Sequence, residues 1–157
     1  MKVELWVVGK TNFTYLSEGI ALYEKRLKHY LQFELVVLPD VKVSKKESTI
    51  QVKTKEGKAL LDKCQESDYL VLLDDKGSQF TSEAFATQLE RYLQMSVKRI
   101  IFVIGGAYGF SEALYQRANA QLSLSKMTFS HQMVRLIFVE QLYRAMTILK
   151  NEPYHHI

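Results

Sequence analysis

Residues 99–109 read Arg99-Ile100-Ile101-Phe102-Val103-Ile104-Gly105-Gly106-Ala107-Tyr108-Gly109, and this stretch decides the fold class. Five apolar residues in succession, four of them β-branched, leave no polar face for solvent. A strand of that kind is expected where helices cover both faces of a parallel sheet. Three glycines follow at once, and a turn built from them tolerates positive φ and lets a ligand approach bare main chain.

Working outward, further β-rich runs at 2–8, 33–38, 69–73 and 120–124 join 99–104 as strands. Longer amphipathic runs at 15–30, 46–64, 82–95, 111–119 and 132–150 read as helices, giving the order βαβαβαβαβα. Thr81-Ser82-Glu83 and Ser111-Glu112 place hydroxyl acceptors at helix starts, where orphan amides need them. The expected class is α/β, a doubly wound parallel sheet with helices on both faces, and residues 1–157 are expected to form a single domain. The last helix is apolar around most of its girth, from Met133 through Leu149, wider than the stripe one sheet can cover. A second copy of the chain would cover the other side, so a homodimer is expected.

Composition excludes several classes. A single cysteine, Cys64, rules out an internal disulfide framework and a cysteine-built metal site. The opening apolar run at 3–8 is broken by Glu4 and is too short for a signal peptide core, and no window approaches a membrane span. A cytoplasmic protein without metal or membrane is expected. The net charge of +4 is unevenly spread: residues 1–65 hold 12 Lys/Arg against 8 Asp/Glu, and residues 117–157 hold 5 against 2. Lys42, Lys45, Lys46, Lys53, Lys55 and Lys58 form a basic helix region that equally suits solvent and a phosphate backbone.

In an open parallel sheet, ligands bind beyond the carboxyl ends of the strands, so the turns after the third, fourth and fifth strands are the candidate site. The glycine turn lacks the G-x-G-x-x-G spacing of dinucleotide sites and the Gly-Lys-Ser/Thr of a Walker loop. After the fifth strand, 124–132 mixes hydroxyls, a cation and apolar residues; after the third, Leu73-Asp74-Asp75-Lys76-Gly77 is either a ligand wall or an ordinary turn.

The blocks F-V-I-G-G-A-Y-G at 102–109, L-S-L-S-K-M-T-F-S-H-Q-M-V-R at 122–135, E-Q-L-Y-R-A at 140–145 and P-Y-H-H at 153–156 resemble the large-subunit rRNA methyltransferase H family. These are pseudouridine N3-methyltransferases of the SPOUT, or α/β-knot, superfamily. Tyr23-Glu24-Lys25-Arg26-Leu27 and the opening strand through Gly9 extend the resemblance over essentially the whole chain. It implies a C-terminal trefoil knot, with S-adenosylmethionine held by Leu73, Gly105, Leu124, Ser125, Lys126, Met127, Thr128 and Phe129. It also implies methylation of ribosomal RNA in the ribosome. Where the family has proline before the histidine, this chain has Ser130.

Methyl transfer from a sulfonium requires donor and nucleophile held in line, and an imide nitrogen must lose its proton to attack well. His131 is the first candidate for that proton, with a capping role as its alternative. Arg135 and Arg144 are candidates for holding phosphate or a developing anion. Tyr154, His155 and His156 are candidate RNA contacts, through stacking and hydrogen bonding. A non-catalytic RNA- or nucleotide-binding module and a flavodoxin-like domain are the rival readings; the position of the glycine turn suits the latter poorly.

Overall fold

A computed structural model describes residues 1–156, so the terminal Ile157 lies outside the described residues. The elements, in chain order, are β1 (Lys2–Val8), α1 (Thr14–Leu27), β2 (Gln32–Leu38), α2 (Thr49–Lys63) and β3 (Tyr69–Gln79). There follow α3 (Ser82–Leu93), β4 (Arg99–Ile104), α4 (Glu112–Arg117), β5 (Ala120–Ser123) and α5 (Met133–Leu149). Among the described residues the strands form one parallel sheet in the order β2-β1-β4-β3-β5.

The alternation of side chains across the pleat sorts the central strands into two cores. Ile100, Phe102 and Ile104 of β4, with Val3, Leu5 and Val7 of β1, face the helices α1, α3 and α5. Ile101 and Val103, with Trp6, Val8, Leu70 and Leu72, face α2 and α4 through Leu60 and Leu114. Both faces of the sheet are thus covered, which is why β4 tolerates apolar residues at every position. The neighbours β3 and β4 send the chain to opposite faces, β3 into α3 and β4 into α4, and so leave a crevice at their carboxyl ends.

Three boundaries differ from the sequence reading by three residues or more. Helix α2 begins at Thr49, not at 46, because Ser48 accepts the Gln51 amide while the Gln51 side chain returns to the Ser48 amide, a reciprocal cap that sets the start. Strand β3 does not end at Leu73. After an irregular turn it resumes beside β5, with Ser78 opposite Leu122 and Gln79 opposite Ser123. Gly77 makes this approach possible, since a Cβ there would meet the main chain of Gln121 and Leu122 at 2.7 Å. Helix α1 ends at Leu27, and a turn leads from it into β2.

Helix α5 lies against both α1 and α3. Gly19 of α1 allows close approach, because a Cβ at that position would meet Leu136 at 2.9 Å. Much of the apolar girth of α5 is therefore absorbed within the chain, with Phe138, Val139, Leu142, Ala145 and Met146 buried. Around its start Met133, Phe129, Phe13 and Tyr15 stay exposed. Among the described residues, no helix is long and apolar enough to cross a membrane.

Candidate ligand site at the strand ends

A cavity of about 690 Å³ opens at the carboxyl ends of β3, β4 and β5, within the roughly 300–1,000 Å³ range of small-molecule sites. Three turns wall it. The β3 turn contributes Leu73, Asp74, Asp75 and Lys76; the β4 turn contributes Gly105 through Phe110; and the segment after β5 contributes Leu124, Ser125 and Met127 through His131. Of the eight residues singled out for cofactor contact, seven line the cavity and Lys126 does not.

The β4 turn leaves main chain bare. A Cβ on Gly105 would meet the Phe110 ring at 3.0 Å and the Gly109 carbonyl at 3.3 Å, and Gly109 adopts φ +85°, a conformation that side-chain-bearing residues rarely accept. The turn is closed by the Gly109 amide donating to the Gly106 carbonyl at 3.2 Å. Ser111 then caps α4 by accepting the Leu114 amide.

After β5 the chain is shaped by its own hydroxyls. Ser123 Oγ donates to the Ser125 carbonyl at 2.9 Å, and Ser125 Oγ accepts the Met127 amide at 2.9 Å. Ser130, standing where proline is usual in the resembled family, accepts the Met133 amide on its Oγ at 3.0 Å. A proline has no such acceptor, so the serine supplies by capping the order that a ring would impose by restraint.

Charges of both signs meet at the rim, Lys53 and Lys76 against Asp74 and Asp75. Burial opposes ionisation of Asp74, but the Tyr115 hydroxyl and the Lys76 amide donate to it and hold its carboxyl below the usual range. Burial first, and the Asp74 bond second, push the Tyr115 hydroxyl well above an ordinary tyrosine. Phe110, Tyr115, Val134 and Lys53 are lining residues that sequence reasoning did not name for the pocket. Only the position of Phe110 and Tyr115 just beyond the glycine turn offered a signal for them.

His131 lines the cavity, but Arg135, four residues on, does not. Arg135 is fully buried: Nη1 donates to the Gly9 carbonyl at 2.8 Å, Nη2 to the Val8 carbonyl at 2.7 Å and Nε to the His131 carbonyl at 3.2 Å. Burial lowers its pKa, with Asp40 opposing. These donors are spent on main chain and, from Nη1, on the Thr11 hydroxyl at 3.2 Å, so this guanidinium fixes the start of α5 and does not face a phosphate. Gln132 adds to the tie, donating to the Lys10 carbonyl and accepting the Asn12 amide.

Arg144 and the terminal residues meet one another away from the cavity lining. Arg144 donates to Glu140 Oε1 through Nε and Nη2, contacts His155 Nδ1 at 3.1 Å and covers the Tyr154 ring at 4.7 Å. Tyr154 donates to Glu140 Oε1 at 2.9 Å and meets the Tyr23 hydroxyl at 3.2 Å, while His155 Nε2 reaches Glu83 Oε1 at 2.8 Å. Burial and these neighbours push the Tyr154 hydroxyl up. His156 is exposed. Among the described residues, no three His, Cys, Asp or Glu side chains are grouped to hold a metal ion.

Comparison with known proteins adds to this geometry. The family model described as "Predicted SPOUT methyltransferase" matches residues 1–155. A protein of Parabacteroides distasonis named ribosomal RNA large subunit methyltransferase H is 58% identical over 156 residues, covering 99% of each chain. Proteins of the same name from Christiangramia forsetii and Cytophaga hutchinsonii are 54% and 53% identical over 156 residues, covering 99% of this chain and 99% and 100% of theirs.

Proposed function

This chain belongs to the SPOUT methyltransferase family, among the ribosomal RNA large subunit methyltransferases H, and from that premise we propose its reaction in full. It transfers the methyl group of S-adenosylmethionine to N3 of a pseudouridine in large-subunit ribosomal RNA, acting on the assembled ribosome. The observation that carries the reading is the cavity of about 690 Å³ walled by three strand-end turns, with bare main chain at Gly105.

The residues present suit this donor. Leu73, Leu124, Met127 and Phe129 offer apolar surface to a purine, the Gly105–Gly109 turn offers main chain, and Ser125 and Thr128 add hydroxyls. The donor, when bound, supplies an electrophilic methyl carbon on sulfur. The chain's part is to hold that carbon in line with the nitrogen and to exclude water. His131, at the edge of the same cavity, contacts the target nucleotide and takes the imide proton. Arg135 serves at one remove, by fixing the helix that carries His131.

Tyr154, His155, His156 and Arg144 serve the RNA. Their absence from the chain's own cavity lining supports a homodimer in which one subunit's tail completes the partner's site. The exposed Phe13, Tyr15 and Met133 support the same arrangement, as apolar surface for a second copy. The C-terminal trefoil knot is part of this reading. It is supported by the return of the chain from β5, at one edge of the sheet, to α5 seated between α1 and α3. The basic region around Lys42, Lys45, Lys46 and Lys53 faces the RNA backbone, which makes binding salt-dependent. The whole chain works as one domain in the cytoplasm.

The test is methyl transfer itself. Purified protein with labelled S-adenosylmethionine labels ribosomes from cells lacking the modification, and mass mapping places the label on one pseudouridine of the large-subunit RNA. Absence of label on ribosomes, subunits and free rRNA alike rejects the reading. Donor binding without transfer would favour a binding module instead.

A further inference from the structure

One carboxylate beside the donor turn has no part in the reading above. Glu56 lies on α2, one helical turn from Lys53, which lines the cavity. It reaches the β4 turn from outside: a Cβ built on Gly106 would meet both carboxylate oxygens, Oε1 at 2.9 Å. A side chain at position 106 and the carboxylate of Glu56 therefore compete for the same space.

Glu56 Oε1 is buried without a hydrogen-bond partner. The other such oxygen among the described residues, Glu47 Oε2, belongs to a carboxylate whose Oε1 already holds Lys55 at 2.6 Å. Among the described residues no cation pairs with Glu56. A buried acceptor without a donor bears its full desolvation penalty. On the turn itself, the Ala107 and Tyr108 amides bond to nothing among the described residues, and the one closing bond runs from Gly109 to Gly106. Donors without acceptors on the turn thus lie beside an acceptor without a donor on α2.

We propose that Glu56 is a positioning residue for the methyl donor: acting through Gly106, its carboxylate holds the 105–109 turn in its donor-bound shape by accepting the turn's unpaired amides. This rests on the reading of the cavity as the donor site. Burial, and after it the nearby Asp40, push the Glu56 carboxyl above the usual range. Among the described residues, Asp40 on the β2–α2 connection is the charged neighbour that acts on it; on its own helix Lys53 stands three residues before it and Lys55 is held by Glu47, and the turn carries Tyr108 as its titratable side chain. Amide donors favour the ionised carboxylate. Donor affinity therefore rises with pH as Glu56 ionises.

Calorimetric titration of the full chain with S-adenosylmethionine tests this. Glu56→Ala weakens binding at least tenfold, whereas Glu56→Gln, whose amide oxygen still accepts, keeps part of the affinity but loses the pH dependence. Gly106→Ala weakens binding too, since the methyl group pushes the Glu56 carboxylate off the turn. In the double variant Glu56→Ala/Gly106→Ala the loss is smaller than the product of the two, because the carboxylate has vacated the space. Amide exchange by NMR adds a readout on the turn: the donor protects the Ala107 and Tyr108 amides in the wild type and not in Glu56→Ala. Glu56→Gln keeps the measurement open should the alanine variant unfold. Wild-type affinity, pH dependence and protection in the Glu56 variants, or a strictly multiplicative double variant, overturn the proposal alone. A wild-type chain that takes up no donor overturns the reading of the cavity and this proposal with it.

Discussion

The guanidinium of Arg135 donates to the main-chain carbonyl of Gly9 at 2.8 Å, joining residues 126 apart in the sequence. Through this bond, and its partner to Val8 at 2.7 Å, the end of the first strand holds the start of the last helix. The third wall of the cavity is hung from that helix start.

Arg135→Met therefore strips the buried carbonyls of Val8 and Gly9 of their donors. With about 1–3 kcal/mol for each unsatisfied group and partial relaxation, unfolding stability falls by about 2–4 kcal/mol, measurable by urea titration. Donor affinity falls as well, since His131 and the residues before it lose their anchor. A change under about 0.5 kcal/mol would mean that the tie is not what holds α5 in place.

At Gly105 the obstacle is local. Gly105→Val sets a branched side chain against Phe110 and the Gly109 carbonyl, and so displaces the turn proposed to hold the donor. S-adenosylmethionine affinity is expected to fall at least tenfold by calorimetry, with the circular dichroism spectrum and thermal midpoint of a folded protein. Unchanged affinity would mean that the donor does not lie on this turn.

His131→Ala is expected to lower single-turnover methyl transfer by about a hundredfold, the lower end of what a positioned proton acceptor contributes. Donor affinity stays as in the wild type. Equal turnover in the two proteins would remove His131 from the chemistry and leave it a helix-start residue.

The Tyr115–Asp74 pair makes a pH prediction. The folded Asp74 carboxyl sits below its ordinary value, so its contribution to stability is complete above that ordinary value, near 3.8. The contribution is lost as pH falls through the lower, folded value. In Tyr115→Phe the donor is gone and the folded value returns toward the ordinary one. The wild type is thus the more stable at neutral pH, and its advantage shrinks on acidification below about pH 4. Urea midpoints measured from pH 7 to pH 2 check this; a pH-independent difference would assign the loss to packing alone.

For the tail, complementation separates a shared site from a self-contained one. A chain lacking residues 153–157 and a Gly105→Val chain are each expected to be inactive. Mixed and allowed to exchange subunits, they regain transfer, because one supplies the donor pocket and the other the tail. Sedimentation should give about twice the 18.2 kDa chain mass. A monomer, or mixtures that stay inactive, would refute the shared site.

Sequence alone determined the alternation of strands and helices, the continuous apolar character of β4, and which three strand-end turns come together as the walls of a cavity. Those features follow from short-range causes: periodicity, β-branching, glycine and hydroxyl caps act within a few residues and can be read there. The resumption of β3 as far as Gln79 left no trace, since Asp74-Asp75-Lys76-Gly77-Ser78-Gln79 has no strand pattern and its pairing depends on the Gly77 approach to the 121–122 main chain. Arg135 reads in sequence as a cation for phosphate and in the fold is a buried donor to carbonyls over 120 residues away. On a helix that reads as merely basic, Lys53 reaches the cavity and Glu56 the β4 turn only because α2 and α4 pack on the same face of the sheet. A side chain's type records what it is able to bond; which partner it meets is decided when distant segments are packed together, and that information belongs to no local stretch.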